Sequence, residues 1–385
     1  MHPYFSLPAT SIVFALVRSV PFVTLALTLF WLAGCATQPR SIAPASPQTA
    51  ARTAGAPGAA LSPTQRRLTD EAALLQPLSQ SDLTRHFLDA ASALPQVATR
   101  TAYVNEITRE YFSPAAKDAL PDSAKARLGQ VQLDESRYYY TKYGTPLAYL
   151  RALEFAVDDS FRDVAGKRIL DFGYGSIGHL RLLASLGAQI TGVDPDSYLA
   201  ALYSDARDQG PVALAPIAGA SRRGAGYLSL VSGFWPKDAK TVEQVGKGYD
   251  LILSKNTLKR GYVKPERKVD DKRQLISLGV SDQVFLTAVF NTLAPGGKLV
   301  IYNLYPKPAG PKEKYKPMAD GRSPFSREQY EKAGLKVIAF DTEDHAFARK
   351  MGRLLKWDQN AQGETVDDLE TNLYALVTVV LRPRQ

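Results

Sequence analysis

The sequence predicts an α/β fold, a doubly wound, mostly parallel seven-stranded sheet preceded by an N-terminal helical segment. Three observations predict it. From about Phe161 onward, short apolar runs alternate with stretches of helical periodicity, the pattern of βαβ units around a parallel sheet. The first of these runs enters its helix through a glycine-rich turn. The last two runs follow one another with no full crossover helix cleanly placed, which sets the end of the sheet apart from its middle.

The strands are expected at Arg168 to Phe172, Gln189 to Asp194, Tyr227 to Val231, Asp250 to Ser254, Leu299 to Tyr302, Leu335 to Phe340 and Leu373 to Leu381. Between them Leu180, Leu183 and Leu186 mark a helix that stops at Gly187, and further helices are expected over Tyr198 to Asp208 and Asp282 to Leu293. Ser326 with Gln329 three residues on forms a capping box, and that helix should stop at Gly334. Upstream, Leu83, Phe87, Leu88, Ala91 and Leu94 recur at helical spacing, as do Tyr103, Ile107 and Tyr111. Ser113-Pro114 and Thr145-Pro146 each place a capping side chain before a proline suited to a first helical turn, so Pro146 to Val157 should be a helix with Leu147, Leu150 and Leu153 inward. Residues 63–160 therefore read as a helical N-terminal segment, and 161–385 as the α/β domain.

The chain of 385 residues is 45% apolar and 22% charged, an ordinary globular composition with ample core. Its formal charge of +9 comes from 47 basic and 38 acidic residues and suits anionic partners without bearing on fold. A single cysteine, Cys35, excludes an intrachain disulfide and a cysteine-built metal site. Arg18 flanks an almost wholly apolar stretch, Val20 to Ala33, which closes with Leu32-Ala33-Gly34-Cys35. Sixteen residues separate Arg18 from Cys35, short of the roughly 20 that span a bilayer as a helix. Small residues just before a cysteine resemble the lipobox of bacterial lipoproteins. That resemblance implies a signal peptide over 1–34, lipidation of Cys35, and anchorage to the cell envelope at the outer membrane or periplasmic face. An uncleaved anchor starting near Ser11 is the other reading. Residues 35–62 are Ala, Pro, Ser, Thr, Gln and Gly with almost no large apolar side chain, the composition of a flexible linker.

The chemistry should sit at Asp171-Phe172-Gly173-Tyr174-Gly175-Ser176-Ile177-Gly178, where a strand turns into a helix. Glycines there let backbone approach a ligand, and the helix N-terminus offers unpaired N–H groups and positive dipole. Asp194 closes the next strand, 23 residues after Asp171, where a carboxylate can accept both hydroxyls of a ribose. A Gly-x-Gly-x-x-Gly alone equally suits a dinucleotide. Asp171, two residues before the first glycine, can reach the cationic end of an amino-acid ligand, whereas a pyrophosphate gains nothing from a carboxylate.

Gly248-Tyr249-Asp250-Leu251-Ile252-Leu253-Ser254-Lys255-Asn256 resembles the fourth-strand segment of class I S-adenosylmethionine-dependent methyltransferases, and Leu293-Ala294-Pro295-Gly296-Gly297-Lys298-Leu299-Val300-Ile301 their turn into the fifth strand. The closing strand pair is similar to that superfamily's reversed final hairpin. The resemblance covers about Tyr143 to the end and implies a Rossmann-like methyltransferase fold with S-adenosylmethionine as cofactor. It also implies roles. Asp171 would hold the methionine moiety, Gly173, Gly175, Ser176 and Gly178 would line it, and Asp194 would take the ribose hydroxyls. Ser232 and Gly233 would meet the adenine edge, with Ser254 beside the cofactor and Tyr143 in a pre-strand segment folding over it. The sequence departs from the pattern twice. Ser232-Gly233-Phe234-Trp235 lacks the acidic residue many members carry, and Ile177 sits where many have glycine.

No catalytic residue announces itself, because methyl transfer from a sulfonium can rest on positioning, with a base needed only if the acceptor must lose a proton. The fourth strand is not followed by Asn-Pro-Pro-aromatic, so amino-group methylation of adenine or glutamine is not suggested. His179 and His345 read as structural or solvated, and no His/Asp/Glu cluster suggests a metal. Three basic stretches flank the expected acceptor face: Lys255 to Arg273, Lys307 to Arg322, and Arg349 to Lys356. They predict a small-molecule or envelope-derived acceptor carrying an anionic group, with no nucleic-acid partner. Two other readings share the motifs, an NAD(P)-dependent oxidoreductase and a non-catalytic cofactor-binding or scaffold lipoprotein. The second draws on the conflict between an exported chain and a cofactor made in the cytoplasm.

Overall fold

A computed structural model describes residues 60–141, 144–220 and 225–384. The leader, Cys35 and most of the expected linker lie outside the described residues, as does Tyr143. The N-terminal segment opens on a helix, Pro63–Leu75, capped by Ser62 and Gln65 in a capping box, followed by the helix Asp82–Asp89. Leu83, Phe87, Leu88, Ala91 and Leu94 are buried, as their spacing requires.

The next stretch corrects the helical reading. Tyr103, Ile107 and Tyr111 share no helix. β1 (Arg100–Asn105), β2 (Tyr111–Phe112) and β3 (Leu128–Leu133) form an antiparallel sheet in the order β2-β1-β3. Asn105 ends β1 by accepting, at its side-chain oxygen, the N–H groups of Ile107 and Thr108, a local turn that competes with helix. Ile107 then stands 85% exposed at the tip. Spacings of four satisfied a helix template, but residues alternating along β1 fit a half-buried strand equally well.

The main sheet holds eight strands. β4 (Arg168–Phe172), β5 (Gln189–Asp194), β6 (Gly210–Val212), β7 (Gly226–Ser232), β8 (Tyr249–Lys255), β9 (Leu293–Tyr305), β10 (Lys336–Glu343) and β11 (Tyr374–Leu381) lie in the order β10-β11-β9-β8-β4-β5-β7-β6. The seven predicted strands are present, and β6 is the addition: three residues with a central proline, antiparallel to β7 at the sheet edge. β4, β5, β7, β8 and β9 pair in parallel, while β11 runs antiparallel between β9 and β10. A helix, His345–Leu354, joins the last two strands.

Both faces are covered, as a parallel sheet requires. On one face Ile169, Leu251, Leu253, Val300 and Tyr302 pack with Leu180 and Leu183 of the helix Gly178–Ser185 and with Tyr149, Leu150 and Leu153 of the N-terminal segment. On the other, Leu170, Ile252, Leu299 and Ile301 meet Phe285, Leu286 and Val289 of the helix Asp282–Thr292. Pro146–Tyr149 is a single 3-10 turn that continues as the helix Leu150–Glu154, and Thr145 caps it as expected. The helix read over Tyr198 to Asp208 is shorter: Ser197–Leu202, then a separate 3-10 turn, Ala206–Asp208, capped by Asp205.

Polar ties fasten the N-terminal segment to the sheet body, among them three built on charged side chains. Arg151 makes a bidentate pair with Asp344 at 2.9 and 2.7 Å, and Tyr302 donates to the same carboxylate. Lys298 donates to the Ala156 carbonyl at 2.6 Å. Arg100 grips Asp208 with both terminal nitrogens, at 2.5 and 2.8 Å.

Candidate functional site

The chain order reverses between β4 and β8, since β5 and β7 continue to one side of β4 while β8 and β9 lie on the other. Ligands of open α/β sheets bind in the crevice at the carboxyl ends of such strands. The glycine-rich turn occupies that position. Gly173 and Gly175 have φ of 75° and 60°, left-handed conformations that favour glycine. A Cβ on exposed Gly175 would meet only Thr141 Cγ2, at 3.6 Å, so its outer side is open. Gly178 serves packing, because a Cβ there would lie 2.5 Å from the Tyr139 carbonyl oxygen and 2.8 Å from Pro146. Ser176 is buried, and its hydroxyl donates to the same Tyr139 carbonyl at 3.1 Å. Across the crevice, Thr257 donates its hydroxyl to the Gly173 carbonyl at 3.1 Å.

Asp171 is fully buried on the face covered by the N-terminal segment. Its Oδ2 is hydrogen-bonded to Nε2 of His179, whose ring stacks on Tyr149 at 3.5 Å between centroids. Burial pushes the His179 imidazole below its ordinary pKa, with Asp171 acting in the opposite sense. Asp171 Oδ1 and His179 Nδ1 remain buried without a hydrogen-bond partner, an arrangement that calls for a ligand or water.

Asp194 ends β5 and is partly exposed. Its carboxylate accepts the backbone N–H of Asp196 at 2.9 Å and that of Gly175. Burial first, then the charge of Asp196, push its pKa up to about 7, and the two N–H groups restrain the rise. Ser232 ends β7 in register with Asp194 and is exposed, and Gly233 donates its N–H to the Asp194 carbonyl at 3.3 Å. Ser254 is buried, and its hydroxyl accepts the Leu258 N–H at 3.2 Å, closing its own loop. The structure thus gathers Asp171, Gly173, Gly175 and Asp194 around one crevice, whereas Ser176, Gly178 and Ser254 are committed to the fold.

Two lysines join this site that sequence reading placed on a surface rim. Lys255 follows Asp171 around the crevice on β8, with Nζ 5.4 Å over the Tyr149 ring. Burial lowers its pKa to about 8, opposed by Asp171. Lys259 is 4% exposed and donates to the Leu304 carbonyl, and burial together with Lys255 lowers it to about 7. Several of the other basic residues are paired within the fold. Lys264 pairs with Asp282, Arg260 with Glu266, Arg273 with Asp271, and Arg349 and Arg353 share Glu370. Arg267 donates to the carbonyls of Ala309, Gly310, Pro311 and Glu313, pinning the loop after β9. Among the described residues no group of three or more His, Cys, Asp or Glu side chains could hold a metal ion.

No family model and no curated protein matches the chain. Among solved structures it is similar to the [4+2]-cyclase SpnF (17% identity, TM-score 0.35, 61% of this chain and 81% of that one). It is also similar to an S-adenosylmethionine-dependent methyltransferase from Mesorhizobium loti (16%, 0.31, 61% and 98%). A third is magnesium protoporphyrin IX methyltransferase from Synechocystis with bound S-adenosylmethionine (14%, 0.30, 62% and 79%). Overlaps of this size carry no argument about function. The strand order does carry the architecture: five parallel strands wound both ways from β4, a reversed β11 between β9 and β10, and a glycine turn at the switch point. The chain has the α/β Rossmann-like methyltransferase fold.

Proposed function

We propose that the crevice binds S-adenosylmethionine and that the protein transfers its methyl group to an acceptor. The observation that carries this reading is the pairing of two carboxylates around one open glycine turn. Asp194 is partly exposed beside Gly175, and Asp171 is buried with Oδ1 unpartnered. The residues present fit the cofactor. Asp194 suits the ribose hydroxyls, and the free oxygen of Asp171 suits the ammonium of the methionine moiety, directly or through water. The backbone at Gly175, whose outer side is open, can approach it closely, whereas Gly173 packs on Thr257, and Ser232 and Gly233 would border the adenine end. When bound, the cofactor supplies a methyl group on a sulfonium, an activated leaving group. The protein's contribution is to orient donor and acceptor in line. A dinucleotide reading is disfavoured by the same residues, since Asp171 would meet a pyrophosphate with like charge.

Calorimetric titration of the purified protein tests the reading. S-adenosylmethionine should bind and NAD should not. Asp194→Ala should weaken S-adenosylmethionine by roughly ten- to a hundredfold, the loss of charge-assisted hydrogen bonds of about 1.5–3 kcal/mol. Binding of NAD alone, or unchanged affinity in Asp194→Ala, overturns it. Asp194 is the better probe, because Asp171→Ala also strips His179 of its partner.

Cys35 is proposed as the lipidated first residue of the mature protein, on the strength of Leu32-Ala33-Gly34 behind an apolar run. Two or more acyl chains would then hold it stably at the envelope. Mass spectrometry of the membrane-extracted protein should find the N-terminus at a lipid-modified Cys35. An intact Met1, or unchanged processing of Cys35→Ser, sinks the proposal.

A further inference from the structure

Lys255 and Lys259 are an electrostatic anomaly. Both residues lie at the carboxyl end of β8 or just beyond it, on the β8–β9 side of β4, opposite the flank that carries Asp194. Among the described residues, no carboxylate lies within ion-pair distance of either. Lys259 has only the Leu304 carbonyl and the face of Tyr262, and Lys255 only the ring of Tyr149. The single acid that acts on Lys255 is Asp171, which is already hydrogen-bonded to His179. With His179 neutral, the lysines' side of the crevice carries two potential positive charges against the one carboxylate of Asp171, the other carboxylate, Asp194, lying on the opposite flank.

Uncompensated buried charge is costly, and a protein relieves it by releasing a proton or by receiving a counterion. The proposed cofactor does not relieve it. Its ammonium and sulfonium outnumber its carboxylate, so it brings a further positive charge into the crevice. The neutralising charge must come with the other reactant. We propose that Lys255 and Lys259 form an oxyanion subsite that recognises a carboxylate or phosphate group on the methyl acceptor. This rests on the methyl-transfer reading above and names its substrate class. The depressed pKa values of both lysines describe the same subsite without its anion, and an arriving oxyanion should raise them. It also relocates the expected anion recognition. Several rim residues are paired with acids, whereas half-buried Lys255 and buried Lys259, at the carboxyl end of β8, are not.

The test uses the full chain with 13Cε-labelled lysine and no cofactor, titrated with inorganic phosphate and separately with acetate. Two lysine signals, removed one at a time by Lys255→Met and Lys259→Met, should shift on anion addition, and their titration midpoints should rise by about one unit or more. Each single variant should weaken the preferred anion about tenfold, the effect of one charged hydrogen bond. Preference for phosphate or for acetate distinguishes a phosphorylated from a carboxylated acceptor. Lys255→Met should not melt earlier than the parent, since it removes a half-buried cation with no carboxylate partner, whereas Lys259→Met also leaves the Leu304 carbonyl without its donor. Signals indifferent to both anions overturn the proposal, and the unsubstituted protein alone can return that result. A tenfold loss of S-adenosylmethionine affinity in Lys255→Met also overturns it, by assigning that lysine to the cofactor's own carboxylate. Anion binding is read without cofactor and cofactor binding without anion, so failure of one is distinct from failure of the other.

Discussion

Asp208→Ala is expected to destabilise the protein by about 3–5 kcal/mol, the usual loss when one partner is taken from a buried ion pair. Asp208 is 1% exposed and serves four donors. Arg100 contributes two nitrogens, the Tyr138 hydroxyl donates at 2.7 Å, and the Asp205 N–H at 3.1 Å. Arg100 belongs to β1 and Tyr138 to the helix Glu135–Tyr139, whereas Asp208 follows β5, so one carboxylate ties the N-terminal segment to the sheet body. Its removal leaves a guanidinium and a phenol facing a void. Against a typical total of about 5–15 kcal/mol, such a loss is large. Urea unfolding monitored by circular dichroism measures it. Asp208→Asn, which retains acceptor capacity, should lose less, and a loss below about 1 kcal/mol for the alanine variant would remove the tie from the account.

Asp194→Asn should have opposite effects on binding and on stability, and both should depend on pH. In the folded protein the Asp194 carboxyl titrates near 7, above its ordinary value of 3.8. A carboxyl raised in this way stabilises the fold while protonated, and that contribution is lost as pH rises from the unfolded toward the folded value. At pH 8 the parent therefore carries an ionised, disfavoured carboxylate that asparagine lacks. The variant should melt higher there, and its advantage should shrink as pH falls through 7 toward 4. Cofactor affinity should move the other way, because the ionised carboxylate is the form that accepts two ribose hydroxyls. Parent affinity should rise with pH through about 7, while Asp194→Asn binds weakly at every pH. Melting curves and calorimetry at several pH values would settle both. A variant no more stable than the parent at pH 8 would contradict the assigned shift.

The parallel core was legible because its strands are apolar runs bounded by glycine and helix, and because Asp171 and Asp194 end neighbouring strands at a readable spacing. The capping box at Ser326 and Gln329 formed as read. β1 and β2 were missed because Tyr103, Ile107 and Tyr111, spaced by four, satisfy a helical template, and the Asn105 turn that breaks it leaves no periodic signal. Lys255 and Lys259 read only as members of a basic stretch flanking the acceptor face, because a run of lysines does not mark which of them leave solvent. Period two along β8 nonetheless places Lys255 on the face of Leu251 and Leu253, which are buried. His179 carried a similar clue, since His179, Leu182, Leu183 and Leu186 form one buried helical stripe. The occupants of the internally paired basic loops were not legible, because ion pairs such as Lys264 with Asp282 depend on how distant loops meet.

Thr257 joins the first glycine of the turn to the loop after β8: its hydroxyl donates to the Gly173 carbonyl, and its side chain fills the space that a Cβ on Gly173 would need. The turn after β4 and the loop after β8 are therefore one packed junction rather than two independent rims. A side chain added at Gly173 would displace Thr257 and with it the start of the segment that carries Lys259, so a change at one edge of the crevice is felt at the other.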